Sequence, residues 1–466
     1  MKIAALLLAL LLASVPSVAV THKTGVRKPK VKPKSKAKSR STHRHATVRR
    51  THSVVSQYSH HHRRAVPVRH AVYISPALRA TAEAEIARVM EPVPGHLENA
   101  SALVPFFEEL YRAQQDGHPV HILQYGDSHT ASDDWVNAMR EAFQAKFGSG
   151  GPGFCFAGHP YLGYRRFDVS GSNSSGWHTD GTVARLNSGD GRYGLGGVSL
   201  TAESPGQTVN LTAASDELQL LYLQQPGGGS LQFAVDGVTE ETVSTAGDLG
   251  SGKFRYTPSP GQHRYTLTTL SSAPVRLFGW VAQNHSGVTF ETMGINGAQA
   301  YMMLDWDEAI WSAELADRDP ALIVLAYGTN EAISRKWNAE DYRIELHRVI
   351  DRLRHASPTT SILLVGPPDC LFHSRSPMPG NLDEITEIQR EIASETGCAF
   401  WDWRERMGGP GATRVWVRAG FGQMDNVHLT TAGYRLLGNT IFGDLSMAYD
   451  QFLKIRTQPE QEVSQK

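Results

Sequence analysis

The sequence predicts an α/β fold in which a parallel sheet lies between two layers of helices, with a β-sandwich or jelly-roll domain inserted into it. Short apolar runs alternate with amphipathic helical patterns from residue 121 and again from residue 288, which is typical of a parallel sheet covered by helices on both faces. Between these parts, about 135 residues rich in Gly, Ser and Thr show period-two runs separated by turn signals. That spacing of short strands favours an antiparallel β domain.

Five apolar runs, each followed by a turn, are predicted to be the strands of the parallel sheet. They are HILQYGDS at 121–128, VTFETMGING at 288–297, ALIVLAYGTN at 321–330, SILLVGPPD at 361–369 and CAFWDW at 398–403. Patterns with helical periodicity occupy 76–90, 99–115, 133–148, 339–357, 382–397 and 430–454. The chain therefore divides as follows: 1–19 signal peptide, 20–75 disordered basic linker, 76–150 first part of the α/β domain, 151–287 inserted β domain, 288–455 second part of the α/β domain, 456–466 disordered tail.

The first residues have the pattern of an export signal. Lys2 precedes an apolar run and Ser17-Val18-Ala19 provides small residues for cleavage after Ala19, as in secretory signal peptides. Export predicts a periplasmic or cell-envelope location, and an uncleaved N-terminal membrane anchor is the alternative.

Charge is distributed unevenly along the chain. Residues 1–70 contain 16 Lys and Arg residues and no Asp or Glu, so a basic arm precedes an acidic body. We interpret the arm as an electrostatic tether to anionic envelope polymers, with a solvated spacer as the alternative. The export signal argues against a nucleic-acid partner.

The three cysteines, Cys155, Cys370 and Cys398, are predicted to form no disulfide. An odd number leaves at least one thiol free, and Cys370 and Cys398 are expected at opposite ends of neighbouring strands. None of the three has zinc-ligand spacing, and the sequence predicts no metal site.

Ser128 is the candidate nucleophile. It lies in Gly-Asp-Ser-His directly after the first predicted strand, and open α/β folds bind ligands at that edge of the sheet. A serine hydroxyl needs a base to take its proton. Asp425 and His428, three apart before the last predicted helix, provide an imidazole base and the carboxylate that orients it.

Asn330 and Gly297 are candidates for stabilising a developing negative oxygen. Asn330 follows the strand LIVLAY, where its amide can donate a hydrogen bond to that oxygen. Gly297 lies in Gly-Ile-Asn-Gly-Ala after another strand, and a glycine lets the backbone N–H approach a substrate closely.

The four segments GDSH, GINGA, GTNE and DNVH together resemble the blocks of the SGNH (GDSL-like) hydrolase superfamily. The resemblance implies a five-stranded parallel sheet in flavodoxin-like order. It also implies a Ser128–His428–Asp425 triad and an oxyanion hole formed by Ser128, Gly297 and Asn330. His129 and Glu331 replace residues that are more common in the family, and neither is assigned a role.

A GDSH block, a β-sandwich insert and then GINGA resemble bacterial peptidoglycan O-acetylesterases. This resemblance implies an exported serine esterase that removes 6-O-acetyl groups from N-acetylmuramic acid, or acts on a similar acetylated glycan, without a cofactor. An O-acetyltransferase on the same fold and an inactive glycan-binding protein are the alternatives. Trp177, Tyr193, Trp280 and Phe290 are candidates for exposed aromatic side chains that stack on sugars, with packing in the core as the alternative, which is more common for aromatic residues of a β-sandwich.

Overall fold

The computed structural model describes residues 74–91, 95–182, 189–371 and 381–457. The predicted signal peptide, all but the last two residues of the predicted linker, and the chain beyond Thr457 lie outside the described residues. None of the described helices is long and apolar enough to cross a membrane.

The described residues contain eleven α-helices. Several begin at side-chain caps: Ser75 accepts from Leu78, Asp307 from Ile310 and Thr430 from Gly433, so that backbone N–H groups of the first turn are satisfied. The helices are α1 Pro76–Val89, α2 Val104–Asp116, α3 Ser128–Ala131, α4 Asp134–Phe147, α5 Glu308–Arg318, α6 Thr329–Ala332, α7 Ala339–Ala356, α8 Leu382–Thr396, α9 Trp403–Arg406, α10 Ala412–Ala419 and α11 Thr431–Arg456.

Seventeen strands occur in the same residues. They are β1 Leu97–Glu98, β2 Pro119–Gly126, β3 Gly153–Phe156, β4 Ser170–Asn173, β5 His178–Gly181, β6 Val198–Ala202, β7 Thr208–Ala214, β8 Glu217–Gln224, β9 Ser230–Val235, β10 Val238–Ser244, β11 Gly250–Tyr256, β12 Gln262–Thr269, β13 Val275–Gln283, β14 Gly287–Gly294, β15 Leu322–Ala326, β16 Ser361–Val365 and β17 Ala399–Trp401.

One sheet has the order β1-β17-β16-β15-β2-β14. Its last five strands pair in parallel, and the two-residue strand β1 pairs antiparallel with β17 at the edge. In chain order the parallel strands lie 2-1-3-4-5, so the predicted five-stranded parallel sheet with flavodoxin-like order is confirmed. All residues of β15 and β16 are buried, as expected for strands covered by helices on both faces.

The strands between β3 and β13 lie within the stretch 151–287 for which the sequence predicts an inserted β domain. They form two mainly antiparallel sheets, with the orders β10-β9-β12-β7-β4 and β11-β8-β13-β6-β5, and β3 pairs with β13. Burial alternates along β7, β9 and β12, because one face of each strand packs into the core between the sheets. Tyr125 of β2 and Phe154 of β3 belong to one buried cluster, so these sheets share a core with the parallel sheet.

The four aromatic side chains considered as exposed sugar platforms are buried, so the hypothesis of sugar stacking is wrong and the alternative of core packing agrees with the structure. Trp177 is 7% exposed, Tyr193 2%, and Trp280 and Phe290 0%. Trp177 and Trp280 pack in the core between the antiparallel sheets, and Phe290 lies on β14 of the parallel sheet. Large rings contribute most to stability when they are removed from water, which is why they occupy interior positions. The three cysteines are also buried, and all are free thiols.

A buried ion pair connects α4 to the end of the parallel sheet. Arg140 Nη2 lies 2.8 Å from Asp133 Oδ1, and the two side chains are 2% and 0% exposed. Arg140 also donates to the carbonyl of Phe290 and to the hydroxyl of Thr292 on β14, both at 2.8 Å. A buried charge is tolerated only when it is paired and hydrogen-bonded, and this guanidinium satisfies both conditions.

We expect Arg140→Met to lower the free energy of unfolding by about 3–5 kcal/mol, because the carboxylate of Asp133 stays buried without its cationic partner. Urea denaturation followed by tryptophan fluorescence measures the loss. The matched control is Arg435→Met, whose side chain is 39% exposed and pairs with Glu141 of the same helix α4; it is expected to lose at most about 1 kcal/mol. Equal losses of unfolding free energy in the two variants would contradict the conclusion that the buried pair of Arg140 and Asp133 stabilises the fold.

Candidate active site

Ser128 follows the carboxyl end of strand β2, which lies between β14 and β15 in the parallel sheet, and is the first residue of the short helix α3. Gly126 ends the strand, and a Cβ atom there would lie 2.2 Å from Thr130 Oγ1 and 2.8 Å from the carbonyl oxygen of Ala326. Only glycine therefore allows the chain to turn this tightly. The carboxylate of Asp127 accepts from the amide of His129 at 2.9 Å and caps α3.

His428 reaches Ser128 from the loop between α10 and α11. Ser128 Oγ and His428 Nε2 are 2.9 Å apart, and His428 Nδ1 lies 2.7 Å from Asp425 Oδ2. Asp425 Oδ1 accepts from the amides of Val427 and His428, both at 3.0 Å. The three side chains that the sequence selected as a triad therefore form one hydrogen-bonded series, with its carboxylate oriented by backbone amides.

The pKa values of Asp425 and His428 are shifted from their usual values in opposite directions. Burial opposes ionisation of Asp425, but the hydrogen bonds from His428 and the amide of Val427 outweigh it and hold the pKa of Asp425 at about 2. The hydrogen bond to Asp425 raises the pKa of His428 above its usual value, against the effect of burial. The carboxylate is therefore ionised at neutral pH and stabilises a protonated imidazole.

The residues named for oxyanion stabilisation follow strands on either side of β2. Gly126 is level with Gly294 of β14 and with Ala326 of β15 in the register of the sheet, so the turns after these three strands meet at one edge. Asn330 Nδ2 donates to the carbonyl of Ala298 at 2.9 Å, next to Gly297, which is exposed and has a positive φ of 79°. The structure therefore brings Asn330 and the turn containing Gly297 together beside the turn that carries Ser128.

Glu331, to which the sequence assigned no role, connects two of these turns. Its side chain is buried, and it accepts from the amides of Ala300 at 2.8 Å and Gly328 at 3.0 Å. Burial raises the pKa of Glu331 to about 7, against the effect of these hydrogen bonds. The signal available in the sequence was a charged residue directly after Asn330 at the end of a buried strand.

His129 is the second residue without a predicted role. Its ring is buried, its Nδ1 lies 2.7 Å from the hydroxyl of Tyr434, and its centroid is 5.1 Å from that of His428. Burial lowers the pKa of His129 to about 3, and proximity to His428 adds to the effect. The ring is therefore neutral at physiological pH and packs against the second imidazole without adding charge.

Within the described part of the chain, no group of three or more His, Cys, Asp or Glu side chains is arranged to hold a metal ion. The chemistry available at this edge of the sheet is proton transfer between a hydroxyl and an imidazole, beside hydrogen-bond donors.

Replacing Asp425 with Asn is expected to lower the pKa of His428, because the carboxylate that stabilises the imidazolium becomes a neutral amide. Titration of the His428 ring proton by NMR measures the change. His263 is an internal control, since its pKa is likewise raised by a carboxylate, that of Asp236 at 2.7 Å, and should be unaffected. An unchanged pKa of His428 would show that Asp425 does not control its protonation.

The sequence of residues 262–436 matches the GDSL-like lipase/acylhydrolase family. The matched range contains Gly297, Asn330, Asp425 and His428 but not Ser128, which lies before the antiparallel strands. A comparison with curated proteins finds no match.

Among solved structures, one described as a peptidoglycan O-acetylesterase in action superposes with a TM-score of 0.66. The two sequences are 28% identical, and the match covers 77% of this chain and 100% of that chain. A family two carbohydrate esterase from Clostridium thermocellum matches 54% of this chain and 95% of its own at 12% identity, with a TM-score of 0.28, too low to support a conclusion. The chain thus contains a GDSL-like acylhydrolase domain and resembles a peptidoglycan O-acetylesterase over the whole length of that protein, and both findings support a carboxylic ester hydrolase with the SGNH fold.

Proposed function

We propose that this protein is an exported serine esterase that removes O-acetyl groups from peptidoglycan, with Ser128 as nucleophile, His428 as base and Asp425 as the residue that orients and stabilises the imidazole. The observation that carries the proposal is the series of hydrogen bonds from Ser128 Oγ through His428 to Asp425, at 2.9 and 2.7 Å. This is the geometry that acyl transfer by a serine hydroxyl requires.

In the first step His428 Nε2 takes the proton of Ser128 Oγ as the oxygen attacks the ester carbonyl carbon. The resulting oxyanion is stabilised by the amides of Ser128 and Gly297 and by the side chain of Asn330. One N–H of Asn330 donates to the carbonyl of Ala298, which orients the amide and leaves its second N–H for the oxyanion. His428 then gives its proton to the departing sugar hydroxyl, and an acetyl-enzyme remains.

In the second step water attacks the acetyl-enzyme while His428 takes one of its protons. Collapse of the second oxyanion releases acetate and returns the proton to Ser128. His428 must be neutral to act as a base, so kcat/KM is expected to rise with pH through the pKa of the free enzyme's His428, which lies above its usual value.

Peptidoglycan as the substrate is supported by the match to the peptidoglycan O-acetylesterase, which extends over that whole chain. The proposed export is supported by the apolar run after Lys2 and the small residues that end at Ala19, features of secretory signals. The basic arm that follows fits attachment to anionic polymers of the same compartment.

Ser128→Ala and His428→Ala are each expected to lower esterase activity at least about 1000-fold, because removal of a triad member abolishes activation of the nucleophile. Turnover of p-nitrophenyl acetate measures the loss, and thermal denaturation checks that the variants are folded. Ser312→Ala on α5 is the matched control and should retain full activity. Labelling by a fluorophosphonate should be lost in both triad variants and kept in Ser312→Ala, and wild-type turnover by Ser128→Ala would refute the assignment.

The substrate is tested by measuring acetate release from O-acetylated peptidoglycan, acetylated xylan and esters of longer acyl chains. We expect peptidoglycan to be the preferred substrate, with no release by Ser128→Ala. Preference for xylan or for long acyl chains would overturn the proposed substrate. If peptidoglycan loses its acetyl groups without release of free acetate, and the acetyl groups are found on an added oligosaccharide, the protein is a transferase instead.

A further inference from the structure

The loop between β3 and β4, residues 157–169, borders the turns that carry the proposed catalytic groups. We call it the rim loop. The hydroxyl of Tyr161 donates to the carbonyl of Gly294 at the end of β14. Asn296 Nδ2 donates to the carbonyl of Leu162 at 3.1 Å, and Gly297 is the next residue. One end of the rim loop is therefore fixed to the proposed oxyanion turn.

The other end of the rim loop is fixed to the start of helix α4. The amide of Phe167 donates to Asp133 Oδ2 at 2.9 Å, and Arg165 Nη1 lies 3.7 Å from Asp134 Oδ2. Asp133 and Asp134 begin helix α4, which follows directly after the helix that starts at Ser128. The rim loop thus contacts both the proposed oxyanion turn and the segment that follows the helix of Ser128.

A cavity of about 270 Å³ lies against the rim loop, close to the lower end of the range for small-molecule sites, roughly 300–1,000 Å³. Its lining includes His159, Tyr164, Arg165 and Phe167. Phe167 is 53% exposed, whereas the rings of Tyr161 and Tyr164 in the same loop are buried. The side chain of Arg165 is 59% exposed, so its remaining N–H groups are accessible beside the ring.

Tyr164 adds a second feature of a binding site. It is 7% exposed, and among the described residues its hydroxyl has no hydrogen-bond partner. Its ring is held by Phe156 at 5.3 Å and by Tyr161 at 5.7 Å between centroids. A buried hydroxyl without a partner is unfavourable, and a polar ligand in the cavity would provide one.

We propose that this cavity is a subsite for a pyranose unit of the glycan that neighbours the acetylated sugar. The inference rests on the proposed function, and it assigns the rim loop to substrate recognition. An exposed aromatic ring offers an apolar face to the C–H groups of a sugar, and a guanidinium donates several hydrogen bonds to its hydroxyl, amide or carboxylate oxygens. Ligand sites commonly combine an aromatic wall with a few placed polar groups in this way.

The test compares two substrates of different size. The quantity compared is the ratio of kcat/KM on O-acetylated peptidoglycan to kcat/KM on p-nitrophenyl acetate. We expect Phe167→Ala and Arg165→Ala each to lower this ratio by about tenfold, because the loss of a binding contact affects only the substrate that is long enough to reach it. The matched control is Val238→Ala on β10, an exposed apolar residue outside the rim loop, which should keep the wild-type ratio. Phe167→Tyr should retain most of it. Unchanged ratios in both alanine variants would overturn the subsite.

A binding experiment separates the subsite from the proposed function. If the wild-type protein releases no acetate from peptidoglycan, the proposed function fails, and the subsite is judged by titrating a soluble deacetylated peptidoglycan oligosaccharide into Ser128→Ala. About tenfold weaker binding when Phe167→Ala or Arg165→Ala is added supports the subsite. Equal affinity with and without these substitutions, or no binding at all, overturns it.

Discussion

The hydrogen bond between Ser128 Oγ and His428 Nε2 joins groups 300 residues apart. It can form only because two separate sets of packing contacts position the two segments that carry these side chains. The Ser128 turn is positioned by the pairing of β2 with β14 and β15. The loop that carries His428 is positioned by α11, which packs against α4. A Cβ atom at Gly438 of α11 would lie 2.4 Å from the carbonyl oxygen of Trp135 in α4, so the two helices approach this closely because that residue is glycine.

Electrostatics around this bond follow from burial. Asp425 is ionised and His428 is readily protonated, while the neighbouring His129 is kept neutral. Burial also raises the pKa of Asp127 to about 6, against its hydrogen bond from the amide of His129. Burial thus shifts the pKa values of His129 and Asp127 in the direction of the neutral forms, whereas the hydrogen bond between His428 and Asp425 favours the charged forms of both.

The parallel strands, and the side chains of Ser128, His428 and Asp425 that meet at their edge, were predictable because their signals are local. Each strand is a short apolar run that ends in a turn, and Asp425 and His428 are three apart. The exposure of aromatic residues was not predictable, since Trp280 faces a core built from strands distant in the sequence. Helix α5 was missed although Asp307 caps it. The contacts of His129 with Tyr434 and of the rim loop with Asp133 span 305 and 34 residues, so no local pattern reveals them.

The pairing of β2 with β14 has a consequence for how the chain folds. These strands are direct neighbours in the sheet, yet the segment that connects them contains both antiparallel sheets. The length of this connection lowers the free energy of unfolding only slightly, because each doubling of the length of a loop adds only about 0.6 kcal/mol to the entropic cost of closing it. It does make the contact non-local, which slows folding. Hairpins such as β9–β10 can form from adjacent residues, whereas the turns that carry Ser128 and Gly297 meet only after the whole connecting segment has folded. Catalytic competence is therefore expected to be acquired among the last events of folding.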